Sequence, residues 1–325
     1  MTAVAPEPVK KTSRWMIAGA VAVLVILFAA PAALVLALRD EGGGTEAMRI
    51  AALPTDVAVD RDTVWVASGR EDRVVALEAG EPDRVERHAT GSSPLRVAVG
   101  AGSVWTANAG DDSVTRLNPL IPGSVGRKIA IGADAVDVAV GPDGAWVTNG
   151  QRGTVTRIDS ISNRVLGPPV RTGEFPTALA IGANHVWVVN SGDGTVARVD
   201  PRENVVTGRR LPVGRDPQDI AVGFGSVWVA NRGDGTLTRL SATDGRPQGP
   251  SIRVGGAPGA LAVTQDAVLV LDTNTGAVIR VDPKSLAAAE IMRISGYPAA
   301  IAVGAGAAWI VDSRSGTVTR VTETN

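Results

Sequence analysis

Cysteine is absent from all 325 residues. Its absence removes thiol nucleophiles, zinc–thiolate centres and disulfide staples together, and leaves the redox compartment undetermined. The fold must hold by packing. Lysine is scarce beyond the N-terminus. From Asp40 onward, 28 Lys and Arg (the chain's 32 less Lys10, Lys11, Arg14 and Arg39) face 32 Asp and Glu (33 less Glu7), and only Lys128 and Lys284 among the 28 are lysines. That balance excludes a basic footprint and argues against nucleic acid as a partner. The only histidines are His88 and His185. The chain has no Gly-x-Ser-x-Gly elbow, no phosphate-cradling Gly-Lys-Ser loop and no His-Glu-x-x-His helix, so no motif sets a general base beside a nucleophile or metal. These absences point away from an enzyme and from a bound cofactor.

One long uncharged run is present. Trp15 to Leu38 carries no charge between Arg14 and Arg39, and as a helix it would measure roughly 36 Å, enough to cross a hydrocarbon core. Lys10, Lys11 and Arg14 precede it, whereas Arg39 is followed at once by Asp40 and Glu41. The positive-inside bias therefore predicts a cytoplasmic tail over 1–14, a transmembrane helix over 15–38 and an extracytoplasmic remainder. A cleaved signal peptide fits less well, because its apolar region would be shorter and the small residues Ala29 to Ala33 stand in mid-span. The following segment, 39–47, is Gly-rich and acidic and reads as a short flexible linker.

From Pro54 the sequence repeats. The repeats begin at Pro54, Pro94, Ala135, Pro176, Pro217, Pro258 and Pro298, a period of 40 or 41 residues. No helical periodicity follows Arg39. Four short strands per repeat at this spacing predict an all-β, seven-bladed β-propeller over 48–325. In the fourth repeat, strands are expected at Ala178–Ile181, Val186–Asn190 and Thr195–Val199, with a fourth inside Val205–Val213. Gly, Asn and Asp mark the turns between them. The seventh repeat ends after its third strand. Residues 48–53 resemble the segment before Pro258 and are expected to close the last blade, which removes open sheet edges.

Some repeated positions read as scaffold. Ala58, Ala98, Ala139, Ala180, Ala221, Ala262 and Ala302 recur in the first strand. Trp65, Trp105, Trp146, Trp187, Trp228 and Trp309 recur in the second, with Leu269 in blade six. Arg116, Arg157, Arg198, Arg239, Arg280 and Arg320 recur in the third. The tryptophans read as core between blades, and the arginines as a ladder that stacks on tryptophan or pairs with Asp and carbonyls. The strand-end ring Ser68, Asn108, Asn149, Asn190, Asn231, Asp272 and Asp312 reads as turn chemistry. Arg232-Gly233-Asp234 is one copy of the repeated hairpin turn, and the Gly-Asp-Gly turns lack the ligand spacing of an EF-hand.

Function is sought where the repeats differ. Two residues after each start stand Asp56, Arg96, Asp137, Ala178, Asp219, Ala260 and Ala300. The cluster Asp56, Arg96, Asp137 and Asp219 is the candidate site, placed at the channel mouth, where it would take a cation, an amine or a polar group of a partner. Capping of the channel with water is the competing reading.

The runs Val104-Trp105-Thr106-Ala107-Asn108, Val186-Trp187-Val188-Val189-Asn190 and Val227-Trp228-Val229-Ala230-Asn231 are each followed by a hairpin turn and a strand of the Val-Thr-Arg type. They resemble the YVTN-repeat propellers, with Trp for the name-giving Tyr. Over about 54–325 the chain is also similar to streptogramin B lyases and to the extracytoplasmic sensor propellers of bacterial membrane-bound serine/threonine kinases. The resemblance implies the fold. A kinase domain is missing from the 14 residues before the span, and no lyase histidine carries over. The reading is a membrane-anchored propeller that binds an unknown protein or small polar ligand at its rim, with a metal-dependent lyase or hydrolase as the alternative.

Overall fold

The computed structural model describes residues 45–132 and 134–322. The expected tail, span and first part of the linker lie outside the described residues. Within them there are strands and turns but no α-helix, and no helix long and apolar enough to cross a membrane.

The described residues form seven antiparallel sheets, each an up-and-down run of strands A to D from the channel outward. Blade one comprises Pro54–Asp60, Thr63–Ser68, Arg73–Glu78 and Glu81–Ala89. Strands A of the next five blades are Pro94–Gly100, Ala135–Gly141, Pro176–Gly182, Pro217–Gly223 and Pro258–Val263. In blade four, strand A extends two residues beyond the expected Ala178 at its start and one beyond Ile181, and strand D is split into Val205–Val206 and Leu211–Pro212. Both pieces pair with Thr195–Asp200. Thr207 still donates its N–H to the Arg198 carbonyl at 2.7 Å, and the break follows at Gly208, which takes a positive φ of 71°, and the two arginines after it.

Blade seven is composite. Strands Pro298–Gly304, Ala307–Asp312 and Thr317–Val321 are joined by Thr45–Arg49, which pairs antiparallel with Thr317–Val321. Three residues of the expected linker, Thr45 to Ala47, belong to this strand. Ile50 and Ala51 continue the contact by donating their N–H groups to the Gly316 carbonyl.

Several A–B hairpins turn through two successive left-handed residues, such as Ala183 and Asn184 or Phe224 and Gly225. That conformation suits the twist of the flanking strands.

The core consists of seven apolar clusters, one at each interface between neighbouring blades. One joins Trp65, Ala67 and Val74 of blade one to Val97, Val104 and Leu117 of blade two. Another joins Trp309, Val311 and Val318 of blade seven to Val57, Val64 and Val66 of blade one, closing the ring. The six repeated tryptophans are buried and pack as core between blades, and Trp65 also lines an open pocket. No blade can bury its apolar faces alone, which makes the ring the unit of stability.

At the far end of strand A a glycine lets the next blade approach. A Cβ on Gly182 would lie 2.6 Å from Val222 Cγ1, and one on Gly304 would lie 2.6 Å from Val59 Cγ1. The Trp187 indole N–H donates to the Gly182 carbonyl at 3.3 Å.

The arginine ladder is built across blades two to seven, and in blades two, four and five it is anchored in the next blade. Arg116 faces Trp105 across strands B and C, with its guanidinium 5.3 Å from the ring centre. The stacks on Trp146, Trp187, Trp228 and Trp309 span 4.9 to 5.9 Å. Arg116 then reaches Asn163 Oδ1 in blade three at 3.0 Å, and Arg239 reaches the Pro283 carbonyl in blade six at 3.0 Å. Blade six lacks the tryptophan, and its Arg280 pairs with Asp266 at 2.7 Å instead.

Candidate functional site

Strand A is the innermost strand of every blade, so its channel edge has no neighbouring strand to accept its amides. Each strand A also contains a register shift just after its first residue, for example between Pro54 and Asp56. Such a bulge turns the following side chain and amide out of the ladder. The candidate residues Asp56, Arg96, Asp137 and Asp219 stand at these positions, in blades one, two, three and five.

The structure brings three of the four into one charged group. Arg96 lies 3.7 Å from Asp56 and 3.9 Å from Asp137. Asp219 stands two blades further round and acts on Arg96 through its field. The side chains of Asp56 and Asp137 are 16 % and 13 % exposed, and that of Arg96 is 27 % exposed. They face the channel but are enclosed by protein.

Each carboxylate also performs a structural task that the sequence reading missed. The Val97 N–H donates to Asp56 Oδ2 at 2.9 Å, the Leu179 N–H to Asp137 Oδ2 at 2.8 Å, and the Leu261 N–H to Asp219 Oδ2 at 2.7 Å. The donor in every case is the next blade. The other oxygen serves its own strand: Asp137 Oδ1 accepts from Val138 N–H and Asp219 Oδ1 from Ile220 N–H, both at 2.8 Å. The Val57 N–H bonds to Asp56 in the same manner. Three aspartates thus accept six channel-edge amides. The signal was legible in principle, since Asp recurs at this position in alternate repeats, one carboxylate for two blades.

Enclosure governs the electrostatics. Burial pushes the Asp137 carboxyl up to about 7 and the Asp219 carboxyl up to about 6, against the opposing pull of Arg96 and the backbone amides. Asp56 is raised by the same cause. Burial pulls the Arg96 guanidinium down, but the three carboxylates outweigh it and raise its pKa. Among the described residues, no group of three or more His, Asp or Glu is placed to hold one metal ion.

The other sequence candidates lie elsewhere. His88 is buried in strand D of blade one, 3.2 Å from Ser124 Oγ. His185 opens strand B of blade four at the end away from Pro176, and its Nδ1 lies 2.8 Å from the Ala183 carbonyl. Neither joins the acidic group. The strand-end ring is turn chemistry only in part: Asp272 accepts from the amides of Ala257, Asn274 and Thr275, whereas Asn231 donates to the hydroxyls of Thr236 and Thr238 on strand C. In the Arg232-Gly233-Asp234 turn, Arg232 pairs with Asp216 and Asp234 with Arg215.

No protein-family model matches the sequence, and no curated protein matches it. Solved structures do. A virginiamycin B lyase from Staphylococcus aureus, determined with quinupristin, superposes with a TM-score of 0.76 at 14 % identity, over 87 % of this chain and 100 % of that one. Hydrazine synthase of Kuenenia stuttgartiensis gives 0.72 at 14 % identity, over 84 % and 96 %. The Cps50 (Swd1) propeller domain of Myceliophteria thermophila gives 0.70 at 12 % identity, over 86 % and 98 %. At these identities the likeness is one of fold, and the chain is a seven-bladed β-propeller of the streptogramin B lyase-like shape.

Proposed function

We propose that this chain is a membrane-anchored extracytoplasmic propeller that binds a partner or small polar ligand at its channel mouth without chemistry. The span read at 15–38 would hold it at the cell membrane, with the propeller outside. In this arrangement, similar to the sensor domains of membrane-bound serine/threonine kinases, a signal would pass to a separate protein in the membrane.

The observation that carries the reading is a charge imbalance. One guanidinium meets two enclosed carboxylates, Asp56 and Asp137, and feels a third, Asp219, from two blades away, with burial raising all three. Strongly perturbed carboxyls in a cleft are candidates for function. An amine or a partner's cationic side chain entering the channel would complete the neutralisation that Arg96 begins.

The test is thermal unfolding of the full chain in detergent against amines, divalent cations, sugars and cell-wall fragments, since a ligand that binds only the folded state raises Tm. A shift lost on Asp→Asn substitution at 56, 137 and 219 supports the reading. A ligand whose shift survives all three substitutions in folded protein refutes this site.

The shared fold favours a second reading, a metal-dependent lyase or hydrolase. It requires a base at the acidic arc, where neither His88 nor His185 stands. Turnover abolished by a chelator would establish it.

A further inference from the structure

Blade one departs from the ladder at a single residue. Its strand C carries Ala76 where six other blades carry arginine, and Ala76 stands directly opposite Trp65. The remaining parts of the arginine's seat are retained. In blades two and five the arginine Nε donates to a hydroxyl at the start of strand B, Ser103 and Ser226, at 2.9 and 2.8 Å. Blade one has Thr63 at this position. In blade five the guanidinium reaches the carbonyl of Pro283, in the C–D turn of blade six. The matching residue beside blade one is Pro119, in the C–D turn of blade two.

These residues surround an open pocket of about 220 Å³, with Thr63, Trp65, Ala76, Glu86 and Pro119 in its wall. Glu86 is opposite Ala76 on strand D and so continues the row that begins at Trp65. Glu78 and Asp60 add carboxylates to the wall, and Arg61 and Arg84 add two cations. The ring that packs against Trp65 is His88, at 5.5 Å and tilted by 47°.

We propose that this pocket binds a guanidinium group supplied from outside the chain. The group would stack on Trp65 in the place an arginine takes in blades two to five and seven. It would donate to the Thr63 hydroxyl and the Pro119 carbonyl, and pair with Glu86. A planar cation suits the site because stacking and forked donation are properties of guanidinium, whereas an ammonium is a compact, strongly hydrated charge. The shared chemistry has two sources, a free guanidino compound or an arginine side chain of a partner. The site is separate from the channel cluster and stands or falls independently of it.

The variants come from the protein's own repeats. Ala76→Arg installs the residue of the other blades, and Trp65→Leu installs the residue that blade six carries as Leu269. Binding of agmatine, of an N-acetylated Ala-Arg-Ala amide and of butylammonium to the full chain in detergent would be measured by calorimetry. The parent is expected to bind agmatine or the peptide. Ala76→Arg and Trp65→Leu should each weaken that binding by about tenfold or more, and butylammonium should bind more weakly than agmatine. Tighter binding of the peptide would assign the site to a protein partner, and tighter binding of agmatine to a small molecule. The proposal is overturned if the parent binds neither guanidinium probe, if butylammonium binds as well as agmatine, or if folded Ala76→Arg or Trp65→Leu protein binds as the parent does.

Discussion

Asp137 of blade three accepts the backbone N–H of Leu179 in blade four at 2.8 Å, while its other oxygen accepts Val138 N–H in its own blade. One side chain thus ties two neighbouring sheets together at the channel. Asp137→Ala would strip both amides of their acceptor and is expected to cost about 2 kcal/mol, moderated by channel water. Asp137→Asn keeps one oxygen and should cost about half as much. Denaturant unfolding at pH 6 would measure both.

The same enclosure sets a pH dependence. Asp137 is held near 7 and Asp219 near 6, both above the ordinary carboxylate value of 3.8. Between about pH 4 and 7 the folded state therefore binds more protons at these sites than the unfolded chain, and their contribution to stability falls as pH rises. Asp272 and Asp312 oppose this at the acid end: burial pushes them up, but their backbone amides outweigh it and lower both. Their stabilisation is present above the unfolded value and is lost as pH falls below it. Tm measured across pH 4 to 8 should decline toward the alkaline side, and the decline should flatten in Asp137→Asn.

Arg96 is the guanidinium that offsets three carboxylates. Arg96→Met should destabilise the fold by about 2 kcal/mol at pH 8, less than the cost of breaking a fully buried pair because the side chains are partly wet. Lowering the pH to 5 protonates the stranded carboxyls and should restore much of the loss. An equal penalty at both pH values would show that packing, not charge, is what Arg96 supplies.

Gly256 sits at φ +51°, and a Cβ there would overlap the Asp272 carboxylate that accepts Ala257 N–H. Gly225, at φ +67°, has open space around it. Gly256→Ala should therefore cost more than about 3 kcal/mol, and Gly225→Ala only about 1 kcal/mol for its left-handed backbone. Paired thermal melts would separate the two.

Chains starting at Thr45 and at Ile50 differ by one strand. Removing Thr45–Arg49 exposes the edge of Thr317–Val321 and part of the blade seven core around Met48. The shorter chain should unfold at a markedly lower temperature and be prone to aggregation at that edge, as light scattering during the melt would show.

The propeller was legible because its evidence is a period: seven starts, six tryptophans and six arginines at matching places leave little freedom of architecture. The candidate cluster was legible as a departure from that period. Its inter-blade hydrogen bonds were harder to foresee, because they depend on bulges that place the amide of Leu179 opposite Asp137, a matter of backbone direction rather than residue type. The split outer strand of blade four escaped for a related reason: outer strands pack on one side only, and apolar patterning weakens there. The pocket beside Trp65 was not foreseen: Ala76 interrupts the arginine series, but the Pro119 turn that completes the pocket wall comes from the next blade.

The pairing of Thr45–Arg49 with Thr317–Val321 also fixes an order in time. The first of these strands is synthesised before blades one to six and the second after them. At about 5–20 residues per second the wait is on the order of tens of seconds. Throughout it the early strand has no ladder to join, and blade one presents an uncovered face. Glu46 and Arg49, charged residues on a strand whose final place is an outer edge, keep that waiting segment soluble and discourage pairing with a second nascent copy.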